Sequence, residues 1–283
     1  MNGFTRLNFD GVKKQMALLF VIEPTQLAAL LAQPTSKLLV IDMCAEQTYL
    51  QGHIDGAIHV PPQKIVSGQA PVPGKIAPIE QLNRVFSFLG LTPETHVVVY
   101  DDEGGGWAGR MIWTLDAVGH KNYSYLNGGL HAWISSGQPV TKEIPTLTPS
   151  KVNLKIDPKV VIEIPDIIGE LDKGDFVVWD ARSPAEYFGE RLTAAKNGHI
   201  PGAINAEWTS LMDRSNSLRI RKDAKEYLAS LGLTSDKRMI THCQSHHRSG
   251  FTYLVGKALG FNIRAYHGSW AEWGNHPNTP VEN

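Results

Sequence analysis

Short apolar runs recur along the chain, separated by polar stretches that carry helical spacing. Residues 38–41 and 176–179 are two such runs, closed by Asp42 and Asp180. Runs this short, rich in branched side chains, predict strands buried on both faces. Residues 97–100 and 239–241 predict central strands of the same kind. Residues 82–89 and 224–231 predict helices before them, and residues 106–118 and 249–259 predict helices after them. Gly119 and Gly260 stand where glycine ends a helix. Strands alternating with helices predict an α/β fold, a twisted and mainly parallel sheet with helices on both faces. Residues 18–22 predict a short strand or a packed lead-in. Residues 1–20 read as an N-terminal extension, with Met16 a candidate start.

The pattern occurs twice. Gly52-His53-Ile54-Asp55-Gly56-Ala57-Ile58 recurs as Gly198-His199-Ile200-Pro201-Gly202-Ala203-Ile204. Upstream, Tyr49 and Tyr187 each sit seven residues after the aspartates that close the first strands. Leu89-Gly90-Leu91-Thr92 recurs as Leu231-Gly232-Leu233-Thr234, and Gly128 with Trp133 recurs as Gly268 with Trp273. Matches in one order, displaced by roughly 140 residues, mean two copies of a domain rather than a solenoid of short units. The expected division is residues 21–138, a linker over 139–160 marked by Pro139, Pro145 and Pro149, and residues 161–283.

Composition narrows the function. The 283 residues carry 27 Lys and Arg against 28 Asp and Glu, so no global basic field recruits nucleic acid or anionic membrane. No apolar run approaches the roughly 18 residues of a membrane span. Lys13 and Lys14 before a short apolar stretch resemble a weak signal peptide, but Glu23-Pro24 follows and no small-residue cleavage site does. Two cysteines, Cys44 and Cys243, form no metal-binding pair and would make a poor disulfide framework. A reducing, cytoplasmic compartment is expected, with a thiol kept for its reactivity.

That thiol is Cys243. In parallel α/β sheets ligands bind beyond the carboxyl ends of the strands. There the second copy places Thr241-His242-Cys243-Gln244-Ser245-His246-His247-Arg248-Ser249-Gly250, a strand end, a tight loop and a helix start. Converging loop amides and a helix N-terminus both lower a thiol pKa. Arg248 adds a permanent cation, and between Lys237 and Ala271 the sequence has no acid, so an electropositive mouth is expected. The aligned residue of the first copy is Asp101, with Asp102 and Glu103 beside it. That copy has no thiol here and is expected to be structural, one wall of the cleft. Cys44 follows the strand end at Asp42 and reads as a packed thiol, or else as a second reactive one on the cleft side.

Together these residues resemble the tandem-domain rhodaneses, thiosulfate:cyanide sulfurtransferases. The repeated Gly-His-Ile-x-Gly-Ala resembles the signature near the start of rhodanese domains, and Gly268-Ser269-Trp270-Ala271-Glu272-Trp273-Gly274-Asn275 resembles the C-terminal one. The loop Cys243-Gln244-Ser245-His246-His247-Arg248-Ser249 is similar to a bacterial subgroup. The resemblance implies two tandem rhodanese-like domains, the second catalytic. Cys243 would hold a persulfide, and Gln244, Ser245, His246, His247 and Arg248 would donate backbone hydrogen bonds to it. Asp180 and Arg182 would brace the loop. Glu186 stands where animal thiosulfate sulfurtransferases carry a substrate-binding arginine, so Arg248 and the histidines would supply the charge instead. His246 and His247 add charge if protonated, which would favour thiosulfate use as pH falls toward about 6.5. No metal or organic cofactor is implied. The expected partners are a small anionic sulfur donor and a thiol or protein acceptor, with neither nucleic acid nor membrane, and a monomer is expected.

Other readings fit less well. A 3-mercaptopyruvate sulfurtransferase typically carries a Cys-Gly-x-Gly loop, whereas this loop is bulky and glycine-free. A cysteine phosphatase needs five residues between cysteine and arginine; here four separate Cys243 from Arg248, which suits one sulfur better than a tetrahedral phosphate. A non-catalytic module of the same fold usually lacks the cysteine. Metal binding by His242, Cys243, His246 and His247 would require neighbouring residues of one tight loop to point at a single ion. Gly104-Gly105-Gly106 lacks the Lys-Ser/Thr of a phosphate loop.

Overall fold

The computed structural model describes residues 19–33 and 37–283. The candidate start at Met16 and most of the extension lie outside the described residues. The first repeat runs β1 (Val21–Ile22), α1 (Pro24–Leu31), β2 (Leu38–Asp42), α2 (Glu46–Gln51), β3 (Ile58–His59), α3 (Ile79–Phe88), β4 (His96–Tyr100), α4 (Gly106–Ala117), β5 (Tyr123–Leu126) and α5 (Gly129–Ser135). The second runs β6 (Val161–Ile162), α6 (Ile164–Ile168), β7 (Phe176–Asp180), α7 (Pro184–Tyr187), β8 (Ile204–Asn205), β9 (Met212–Asp213), β10 (Arg219–Ile220), α8 (Ala224–Ser230), β11 (Arg238–His242), α9 (Arg248–Ala258), β12 (Asn262–Tyr266) and α10 (Ser269–Trp273). The sheets have matching orders, β1-β5-β4-β2-β3 and β6-β12-β11-β7-β8, and all their pairings are parallel. The predicted helix at 82 begins earlier, at Ile79, because Pro78 sets its start.

Strand alternation explains the layering. Leu39, Ile41, Val97 and Val99 of the first sheet, and Val177, Trp179 and Met239 of the second, face one continuous core shared by both repeats. Val40, Val98 and Tyr100 face a separate outer cluster, as do Val178 and Ile240 on their side. Successive side chains point to opposite faces, so strands buried on both faces read as unbroken apolar runs.

The shared core is sealed by α4 against α9, the equivalent helices of the two repeats. They cross at glycines: a Cβ on Gly109 would lie 2.2 Å from the Gly250 carbonyl oxygen, and one on Gly250 would lie 2.5 Å from the Arg110 nitrogen. Only glycine admits so close an approach of two backbones. Asp116 of α4 meets Lys257 and Tyr253 of α9 at the other end of the seam.

The repeated motifs do repeated work. His53 stacks on Tyr49 at 3.8 Å and bonds to its carbonyl oxygen; His199 stacks on Tyr187 at 3.7 Å and does the same. Trp133 and Trp273 each donate an indole N–H to a proline carbonyl, Pro139 and Pro280. Residues 139–160 form no helix or strand but are not loose. Thr141 pairs with His53, and the backbone of Ser150, Val152 and Leu154 bonds to Ser87 and Asn83 of α3. Each repeat also sends its long connection across the other. The loop before α3 brings Gly74 against Ser245, and the antiparallel β9–β10 ribbon reaches Gly104, Asn127 and Gly128 of the first repeat.

Candidate active site

Strand β11 is the middle strand of its sheet, and its end delivers Cys243, buried beneath the start of α9. The loop is fixed from two sides. The first amides of α10, Trp270 and Ala271, donate to the carbonyls of Cys243 and Gln244 at 2.9 Å each, and the Cys243 amide donates to Ser269 Oγ. Gln244 turns its side chain away to bond Thr193. His246 takes a left-handed conformation, φ 56°, which turns its ring inward.

Burial alone would raise the Cys243 thiol. The Arg248 charge, the Ser249 hydroxyl and amide and the Ser245 amide outweigh it, so the thiol lies below its ordinary value. Ser249, not singled out in the sequence, thus favours the anion; it sits at the first turn of α9, where backbone donors have no helical partner. Asp180 and Arg182 form a fully buried ion pair, and Arg182 also reaches the Gly198 carbonyl and lies 4.2 Å over the Trp270 ring. One arginine therefore joins the two repeated signatures. Asp180 lies 3.5 Å from His242, which burial keeps neutral.

Two expectations about charge are corrected. The acid-free segment does not make an acid-free site, because folding brings in acids from elsewhere. Glu186 takes Arg248 in a bidentate pair at 2.6 and 2.8 Å, and Glu103 of the first repeat takes His247 at 2.5 Å. Burial would raise Glu186, but Arg248 and Ser183 bring it down to about 2. His246 does not contribute charge. It is fully buried, its Nδ1 bonds Ser249 Oγ at 2.8 Å, and its ring meets Trp113 edge-on. Burial first, then the neighbouring Arg110 charge, pushes it well below the ordinary histidine range. His247 behaves oppositely. Burial opposes its charge, but Glu103 and Cys243 hold its pKa above the ordinary value. Trp107 and Trp208 flank its ring.

The first repeat builds the same cradle and fills it. Asp101 Oδ1 accepts from the amides of Glu103, Gly104 and Gly105, and Oδ2 from that of Ala108. A carboxylate of the chain itself occupies the anion position that the second repeat gives to sulfur. Burial and the Glu103 charge raise it to about 6 despite those amides. Cys44 occupies the position corresponding to Arg182, and its amide bonds Asp42 as the Arg182 amide bonds Asp180. It lines a cavity of about 300 Å³ with His59, Asp102 and Trp107. Burial and the charges of Asp42, Asp102 and Asp101 push this thiol far up, so it packs rather than reacts. Among the described residues no cluster of three His, Cys, Asp or Glu side chains is placed to hold a metal.

Comparison with known proteins identifies the family. The model of the Rhodanese-like domain matches residues 23–136 and again 165–276. The chain is 51% identical over 267 residues to a thiosulfate sulfurtransferase of Azotobacter vinelandii, covering 94% of this chain and 98% of that protein. It is 51% identical over 265 residues to a thiosulfate sulfurtransferase of Pseudomonas aeruginosa, covering 93% and 96%. Similarity to the 3-mercaptopyruvate sulfurtransferase of Escherichia coli is lower, 28% over 245 residues, covering 85% and 87%. Among solved structures, an anaerobic ergothioneine biosynthesis enzyme of Chlorobium limicola shares the fold with a TM-score of 0.82 at 22% identity, covering 93% of this chain and 70% of that one.

Proposed function

We propose that this chain, a member of the rhodanese family and a thiosulfate sulfurtransferase, carries the transferred sulfur on Cys243. The observation that supports this most is the convergence on one buried sulfur of the Ser245 and Ser249 amides, the Ser249 hydroxyl and the Arg248 charge. These donors stabilise the thiolate at that atom and, after transfer, the persulfide anion whose charge sits one sulfur further out. The thiolate attacks the outer sulfur of thiosulfate, the sulfur–sulfur bond breaks, and sulfite leaves with the electron pair. The terminal sulfur of the persulfide is then taken by cyanide, as thiocyanate, or by a thiol or protein acceptor, and the thiolate returns. No proton changes hands in the transfer to cyanide, so no general base is required. Asp180 and Arg182 hold the strand end, while Gln244, His246 and His247 hold the loop against its neighbours.

A reducing cytoplasmic setting and a monomer belong to the same proposal. Both cysteines are free, and the two repeats already share one core. No helix among the described residues is long and apolar enough to cross a membrane. The test is the mass of the purified protein after thiosulfate and then after cyanide. The expected result is a gain of one sulfur mapped to Cys243 and its loss on cyanide, with neither step in Cys243→Ser. A persulfide mapped to Cys44, or full turnover by Cys243→Ser, would overturn the assignment.

A further inference from the structure

Arg110 is a buried cation with no acid of its own. It lies on α4 of the first repeat, fully buried. Its Nη1 donates to the Gly74 carbonyl at 2.8 Å and to the His246 carbonyl at 3.3 Å, and its guanidinium lies 4.8 Å over the Trp113 ring. Nε and Nη2 are buried without a hydrogen-bond partner. The contrast with Arg182, equally buried, is direct, since Arg182 has Asp180. A guanidinium in a protein interior is tolerated only where an anion compensates it.

The acids around the loop already have partners. Glu163 and Glu272 share Lys75, Glu186 takes Arg248, Glu103 takes His247, Asp180 takes Arg182, and Asp101 is held by backbone amides. Burial holds His242, His246 and His267 uncharged. The anion that the loop itself can offer is the sulfur of Cys243, at the head of the loop whose His246 carbonyl Arg110 grips. Burial pulls the Arg110 guanidinium down to about 9, and the Cys243 charge is what opposes that pull.

We propose that Arg110 is the interior counter-charge of the Cys243 anion, so that the first repeat, although it lacks the thiol, takes part in the chemistry of the second as the bearer of a positioning residue. The proposal rests on the reading of Cys243 as the sulfur carrier. Arg248 is the main cation holding the Cys243 thiol down, but it shares its charge with Glu186 and is partly exposed. Arg110 lies behind the loop, where its charge persists whether or not a donor is bound. Thiolate and persulfide each carry one negative charge, so a fixed cation serves both halves of the cycle.

The experiment follows iodoacetamide alkylation of Cys243 against pH, with the label mapped by mass spectrometry. The proteins are the full-length wild type, Arg110→Met, Arg110→Gln and Arg110→Lys, each checked for folding by thermal melting. Gln keeps a donor for the Gly74 carbonyl and secures the comparison where Met is unstable. The neutral variants should move the alkylation midpoint up by about one pH unit, which means roughly tenfold slower persulfide formation from thiosulfate at any pH well below the wild-type midpoint. Arg110→Lys should return most of the shift. A neutral, folded variant with the wild-type midpoint overturns the proposal, and so does an Arg110→Lys midpoint as high as that of Arg110→Met, which would make shape rather than charge the cause. A wild-type label that avoids Cys243 instead refutes the sulfur-carrier reading.

Discussion

Glu186→Gln separates two effects of one carboxylate. Glu186 is buried, and its pKa falls from 4.5 to about 2 because Arg248 and Ser183 favour the ionised form over the cost of burial. A displacement of roughly 2.5 units corresponds to about 3 kcal/mol at 1.36 kcal/mol per unit. The Arg248 side chain keeps 20% of its exposure, so water recovers part of that when the partner charge is removed. A loss of about 1–3 kcal/mol at pH 7 is therefore expected in urea unfolding. The folded pKa is depressed, so the contribution is fully present above the unfolded value near 4.5 and fades as pH falls toward about 2. Wild type and variant should converge in stability across that acidic window. Activity should move the other way. A unit charge about 8 Å from another repels it by about 1 kcal/mol at an effective dielectric near 40, and thiosulfate is a dianion. With Arg248 released, KM for thiosulfate should fall about 5–30-fold with cyanide as acceptor. A variant as stable as wild type at pH 7, or one whose KM rises, would show that Glu186 orients Arg248 for substrate rather than neutralising it.

Glu103→Gln removes what holds the His247 pKa up, so in melts wild type should exceed the variant in stability most clearly below the unfolded histidine value near 6.5, and that part of the difference should fade as pH rises through the raised folded value; a difference that does not change from pH 5 to 9 would contradict this. Asp101→Cys in a Cys243→Ser background should give no turnover, because Asp102 and Glu103 keep the new thiol protonated; thiosulfate activity in that double variant would contradict this. Gly109→Ala and Gly250→Ala should each lower the urea midpoint by the equivalent of about 1–3 kcal/mol or more, since each Cβ meets opposing backbone; unchanged midpoints would mean that the helices part freely. The kcat/KM for thiosulfate should exceed that for 3-mercaptopyruvate with cyanide as common acceptor, and the reverse order would change the donor while leaving the persulfide in place.

What the sequence disclosed was mostly local. Strand, loop and helix around Cys243 are contiguous, and the duplication shows in short strings such as Gly198-His199-Ile200, so both were readable without coordinates. Charge balance was not. Glu103 lies 144 residues from His247, and Glu186 lies 62 from Arg248, so nothing nearby in sequence announced either partner. His246 misled for another reason. A polar pair in a glycine-free loop reads as exposed, but the left-handed turn at His246 drives that ring onto Trp113 while His247 points to Glu103. Arg110 was hidden inside a helix predicted only for its apolar spacing.

The crossing of α4 and α9 has a consequence for how such a chain arose. Two equivalent helices pack on each other, and each repeat extends its long connection over the strand ends of its sibling. A two-fold dimer of a single ancestral domain would bury the same surface on both sides, with each subunit closing its partner's site. In such a dimer every substitution would strike both sites together. Joining the halves in one polypeptide lifts that constraint. One cradle is then free to hold its own carboxylate at Asp101, and the helix behind it to carry a cation toward the other loop. The half without the thiol is thus comparable to a subunit that cannot dissociate.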